Sequence, residues 1–345
     1  MRNFTKAFGV AMASAGVALV ATPAQAAGTQ AGSTITNTVS VNYQVGGISQ
    51  TAQSASNSIT VDRKVNLTIA SAASTTTVSP GQTSASTAFT VTNSSNDTID
   101  IVLGVVNQSG GTAQHGGTDT IDVSNYKIYS DAALTTLITY LDEMAPDTTR
   151  TVYVSADVAI SVTNGQIAGD ILTGTAAAGG GTGSQGTVLT ATSGANTAGV
   201  DTVFADGAGS SDAANDGKYS AKGDYTVSAP VLTVTKTSVL ISDPVNGTTN
   251  PKAIPGAVME YCIAVANAAG AATATSLTLS DPLPTTVTYS SGYGIFLNGT
   301  VTGATCNTDG TAGGTYTAGT TTVAGTLNNL TAGSTETLRF RTTIN

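Results

Sequence analysis

The chain has no tryptophan, one histidine and two cysteines, and only 10% of its 345 residues are charged. Each shortage removes a class of chemistry. A Ser-His-Asp triad would have to use His115, which sits in GGTAQHGGT, and no G-x-S-x-G elbow accompanies it. It reads as a solvated loop histidine. One histidine and two distant cysteines also fall short of a tetrahedral zinc set. Glutamate occurs only at Glu143, Glu260 and Glu336, at strand or turn edges, and no indole is available to stack on a sugar ring. The constellations that mark a catalytic centre are missing, so a non-enzymatic protein is expected. Positive charge is scarce as well. Twelve Lys and Arg stand against 21 Asp and Glu, with a pI near 4.3. No basic stripe is present, and an anionic surface repels phosphate backbones, which excludes nucleic acid as a partner.

Long apolar runs are confined to the beginning. Arg2 and Lys6 form a positive n-region, residues 7–21 an apolar core, and Ala24-Gln25-Ala26 an A-x-A site. A signal peptide of residues 1–26 is expected, cut between Ala26 and Ala27. Its loss removes two positive charges and takes the formal charge from −9 to −11. The run is too short and too glycine-broken for a membrane span, and no transmembrane segment is expected in the mature chain.

What remains is rich in Thr, Ser, Gly, Ala and Val, as in proteins built of many short strands and turns. Residues alternate apolar and polar at Ile35, Val39, Val41, Tyr43 and Val45. Gly46-Gly47 then gives a hairpin turn, and Ile48 begins the return strand. A lone hairpin is marginal in water, so its apolar face needs cover. Packing on the first strand of its own sandwich is the expected arrangement, and strand donation to a neighbouring molecule is the rival. Further strands read at residues 65–69, 88–91, 99–106, 126–129, 151–154 and 167–172, before the Gly-rich run 176–183.

An internal repeat ties the two ends of the chain together. Pro80-Gly81 followed by Phe89-x-Val91-x-Asn93 parallels Pro255-Gly256 followed by Ile263-x-Val265-x-Asn267. Residues 141–158 lie without gaps against 327–344, each with a leucine, a polar turn and an alternating final strand. The chain divides into a hairpin segment (27–62), a first sandwich (63–183), a Gly/Asp-rich connecting region (184–230) and a second sandwich (231–345). The expected fold is all-β: tandem immunoglobulin-like antiparallel sandwiches behind an N-terminal β-hairpin.

Lys236 in VLTVTKT, Pro255-Gly256, the Tyr261-x-Ile263-x-Val265-x-Asn267 strand and Asp281-Pro-Leu-Pro284 together carry a family likeness. Residues 231–345 resemble the bacterial conserved-repeat surface domain (domain of unknown function 11), an immunoglobulin-like module of exported proteins. The resemblance implies a fold and a location outside the cytoplasm, and no catalytic residues.

Two sets of residues are singled out. Cys262 and Cys306 share the second sandwich, and export to an oxidising compartment favours a disulfide, with two buried thiols as the other reading. The segment 201–224 gathers aspartates, and Asp206, Asp212 and Asp216 are candidate calcium ligands, since hard oxygens on a flexible loop suit that ion. The Asp-Gly pairs there also form ordinary turns, and the EF-hand spacing is missing. The function expected is a structural or adhesive protein of the cell surface or extracellular matrix, partnered by other surface proteins or by itself. A module presenting loops to a carbohydrate or protein ligand is the alternative.

Overall fold

The computed structural model describes residues 28–345. The signal peptide and its cleavage site at Ala26 and Ala27 lie outside the described residues. Every regular element described is a strand, and no described helix is long and apolar enough to cross a membrane.

The first element is a ribbon. Strand β1 (Thr34–Val41) pairs antiparallel with β2 (Gln53–Thr60), from Thr34 against Thr60 to Val41 against Gln53. Its tip turns at Gly46 and Gly47, with φ of 61° and 82°. Two successive positive φ values match the right-handed twist of the strands, and glycine takes them without a Cβ clash. One face carries Ile35 opposite Ile59, Val39 opposite Ala55 and Val41 opposite Gln53, with the pair Asn37 and Asn57 between them, and the other is Thr and Ser. The expected packing of this face on the neighbouring sandwich is not made: Val39 and Val45 are each 60% exposed and Ile48 is 70%. Among the described residues the root is what is tied down: the Ala31 amide donates to the Asn96 carbonyl, and the Asn96 side-chain amide to the carbonyls of Thr29 and Asp62.

The first sandwich has two sheets. One contains β3 (Leu67–Ser71), β4 (Ala85–Asn93), β6 (Ser124–Tyr129) and β8 (Thr148–Asp157) in the order β6-β8-β4-β3. The other contains β5 (Ile99–Asn107), β7 (Tyr140–Met144), β9 (Ile167–Gly179) and β10 (Lys218–Val227). Its order is β7-β5-β9-β10, extended by the parallel strand Thr76–Val78. Period-two patterning explains the layers. Ala85, Thr87, Phe89, Val91 and Asn93 of β4 all point inward and are buried. Phe89, Val91, Val152 and Val154 meet Ile99, Ile101 and Leu172 in the core.

Of the stretch 184–230, expected to connect the sandwiches, residues up to Val227 belong to the first. Gln185–Val188 pairs with β9, Thr202–Phe204 runs parallel to Arg63–Val65, and β10 pairs with β9 over nine residues, from Ile167↔Thr226 to Thr175↔Lys218. The connector is only residues 228–231, and it is bonded on both sides. Ser228 and Ala229 donate to the Val78 carbonyl and the Asn164 side chain. Val231 donates to the Asn267 side chain, and Ala229 and Val231 accept from Ala272 and Ala268.

The second sandwich has β11 (Leu232–Ser242), β12 (Val258–Asn267), β14 (Ile295–Leu297) and β16 (Thr335–Ile344) in the order β11-β12-β16-β14. Facing it are β13 (Thr278–Pro282), β15 (Thr322–Thr326) and the short strand Thr315–Thr317. The fold is all-β, as expected, and antiparallel apart from the two short parallel pairings of the first sandwich.

The internal repeat proves to be one of register. Leu67, Ile69 and Ser71 lie opposite Asn93, Val91 and Phe89; Leu232, Val234 and Lys236 lie opposite Asn267, Val265 and Ile263. Phe89 pairs with Val152 as Ile263 pairs with Leu338. The buried Asn93 amide donates to the carbonyl of Met144, and the buried Asn267 amide to that of Leu330. Asp147 and Gly333, both at positive φ, return their amides to the carbonyls of Asn93 and Asn267.

Candidate functional site

The two cysteines form the expected disulfide, with 5.4 Å between their Cα atoms. Cys262 has the opposite parity to the core residues Ile263 and Val265, so the bridge fastens the small hairpin ending at Cys306 to the outer face of β12.

The three candidate calcium ligands serve separate turns. Asp206 is 2% exposed, and its carboxylate accepts the amides of Asp216 and Gly217 at 3.1 and 3.0 Å. Asp212 accepts the Gly209 amide at 2.9 Å, and Asp216 accepts that of Lys218 at 2.9 Å. These carboxylates close loops in which Asn215 and Gly217 adopt positive φ.

Among the described residues, the acidic groups that converge are Asp100, Asp142 and Glu143, with ligand atoms within 4.8 Å of one another. Asp100 lies on β5, and the other two lie on β7 where its register slips between Leu141 and Met144. The Gly-rich run covers them: Gly181 donates to Glu143, Gly183 to Asp142 and Gly186 to Asp100, at 2.8, 2.9 and 2.7 Å. Asp100 also accepts the Glu143 amide. Backbone N–H dipoles therefore carry much of the compensation for three like charges. Sequence reasoning missed this cluster. The Gly-rich run reads as a linker, and nothing local says that it folds over carboxylates from two strands.

His115 departs from its reading as a solvated side chain. Its amide and Nδ1 both reach the Asp224 carboxylate at 2.8 Å, and Nε2 lies 2.9 Å from the Ala72 carbonyl. Asp224 is 1% exposed. The hydrogen bond to Asp224 raises the imidazole pKa above its usual value, against the smaller effect of burial. Both ring nitrogens are occupied, so the histidine fastens loop 109–117 and has no nitrogen left to act as a general base. Beside it, Asp170 is fully buried on β9. Only the amides of Asp170 itself and Gly223 come near its oxygens, and neither makes a well-formed bond. Burial, with the neighbouring Asp224 charge, pushes it up to about 7.

In the second sandwich Lys236 reaches across to the facing sheet, its Nζ 2.7 Å from both oxygens of Asp281 and 4.8 Å from the Tyr261 ring centre. On the first sandwich Tyr140 and Tyr153, with Asp131, Asp142 and Arg150, line an open groove.

No family model and no curated protein matches the chain, so the resemblance of residues 231–345 to the conserved-repeat domain is not confirmed. Among solved structures, a chain described as "BspA_C_WT" is 9% identical with a TM-score of 0.34, over 80% of this chain and 91% of that one. A Corynebacterium diphtheriae protein provisionally described as membrane anchored is 11% identical with a TM-score of 0.20, over 90% and 89%. At these scores the likeness extends to no property of either protein.

Proposed function

We propose that the chain is an exported, non-enzymatic structural or adhesive element of the bacterial cell surface or extracellular matrix. The observation that carries this reading is the joint. Residues 228–231 are hydrogen-bonded to Val78 and Asn164 on one side and to Asn267, Ala268 and Ala272 on the other. A four-residue connector held at both ends fixes two sandwiches as one stiff unit, whereas a free linker lets domains reorient. The disulfide supports export, since such bonds persist in oxidising compartments. The fully engaged His115 supports a role without catalysis.

Cell fractionation with immunogold electron microscopy of the native protein tests the reading. Label along the outer surface or matrix, with weakened cohesion or attachment in a deletion strain, is the expected result. Label confined to the cytoplasm overturns it. A second reading, a module that binds a glycan or protein loop, is favoured by the cleft between Tyr140 and Tyr153, because aromatic walls with carboxylates suit sugar rings. Saturable binding on a glycan array, lost in Tyr153→Ala, would select it.

A further inference from the structure

The two sandwiches differ at one place. In the first, Leu67 and Ile69 of β3 are 0% and 4% exposed, because β9 and β10 lie over them. A Cβ added to Gly174 of β9 would touch both side chains, at 3.3 and 3.1 Å. Their register equivalents in the second sandwich are Leu232 and Val234, which are 44% and 63% exposed. These two share parity with Lys236, whose side chain crosses to Asp281 on the facing sheet, so they point toward the interior of a sandwich and still meet solvent. The facing sheet explains it. Strand β5 is paired on both sides, by β7 and β9, while among the described residues its counterpart β13 is paired on one side, by β15. The missing cover is an antiparallel pair of strands.

The same chain carries a spare antiparallel pair. The β1–β2 ribbon has eight register pairs, two free edges and one mainly apolar face with no cover, interrupted by the Asn37–Asn57 pair. We infer that the ribbon of one copy occupies the open flank of the second sandwich of another copy, completing it between β11 and β13 as β9 and β10 complete the first.

Charge and area both select a second copy. The chain as a whole is acidic, which opposes self-association, but residues 34–61 contain no charged side chain and β11 contains only Lys236. Area decides how the ribbon docks. Two strands of this length present a face of about 27 by 10 Å, well short of the roughly 800 Å² per partner of a stable interface. Laying two ribbons face to face is therefore too weak. Insertion buries the face and adds ladder bonds along an edge, as in strand addition. Donor and acceptor are different surfaces, so the contact is heterologous and repeats head to tail into an open filament. This assignment goes beyond the structural reading and stands apart from it, since a chain that remains monomeric refutes the assignment alone.

Sedimentation and electron microscopy of the chain lacking residues 1–26 test it, with two variants. The donor variant carries Val39→Asp and Val41→Asp, and the acceptor variant Leu232→Asp and Val234→Asp; all four side chains are solvent-exposed. The native chain should grow with concentration into filaments. Each variant alone should remain a single chain at more than about tenfold higher concentration. Mixed, they should form one-to-one dimers and nothing larger, because each retains the surface the other lacks. Hydrogen exchange on the native chain guards against a misfolded variant: residues 34–60 and 232–241 should gain protection together as concentration rises. A monomeric native chain overturns the proposal. So does protection of the ribbon alone, or an acceptor variant that still assembles, since both indicate ribbon-to-ribbon pairing.

Discussion

Leu67 and Leu232 hold the same place in two sheets of the same order and register, yet the first is sealed from water and the second is nearly half exposed. Sequence pattern sets the register, and the facing sheet sets the burial. Each sandwich then replaces part of the missing stability in its own way. The first closes its core with β9 and β10 and tolerates the buried carboxyl of Asp170 on the closing strand. The second has three strands opposite its main sheet, and instead carries a disulfide and the Lys236–Asp281 bridge between its sheets. Ala88 stands in the first sandwich where Cys262 stands in the second, and Ser71 where Lys236 stands.

That contrast breaks most easily at the disulfide. Replacing Cys262 and Cys306 by alanine should cost the second sandwich about 4 kcal/mol for a loop of this length and leave the first unchanged. Denaturant unfolding should then resolve two transitions, with only one displaced. Asn93→Ala and Asn267→Ala should next show what the sandwiches share. Each deletes a buried amide that binds two carbonyls, at a cost of about 3 kcal/mol, and the two losses should be alike.

The pH response separates the sandwiches again. The folded pKa of Asp170, about 7, lies above the value near 4 of an unfolded aspartate. The folded state therefore holds the proton more tightly, and its stability contribution falls as pH rises through that interval. His115, also raised, loses its contribution in the same direction. The first sandwich should lose on the order of 2 kcal/mol between pH 5 and 8, and Asp170→Asn should flatten most of that slope in melts across the range. The smallest effect is expected from Lys236→Met. Its ion pair is partly solvated, so the second sandwich should lose less than about 1 kcal/mol, measured against the same substitution combined with Asp281→Asn.

Much of this architecture is legible in the sequence. Alternation at Phe89, Val91, Ile263 and Val265 reports strands because one face is buried, and Pro80-Gly81 and Pro255-Gly256 mark the same turn twice. The cysteines could be paired because only two exist. Residues 184–230 were harder. Their strands are held by backbone ladders and Asp-capped turns, and only a few apolar residues, such as Tyr225 and Val227, reach the core. The carboxylate cluster of Asp100, Asp142 and Glu143 joins two strands to a glycine loop about 40 residues away from the nearer pair, a proximity that local pattern does not encode. The ribbon shows the converse limit. Its alternation correctly reports an apolar face, but period two is blind to whether that face is covered, and by what.

The disulfide has one more consequence, for extensibility. The cysteines are separated by 44 positions, a stretch that would reach about 150 Å if drawn out at full extension. If the chain were held at one end and pulled at the other, even an unfolded second sandwich could not release that slack. The protein would lengthen in two unequal steps, the step from the second sandwich cut short by the bridge, and reduction would restore the missing length.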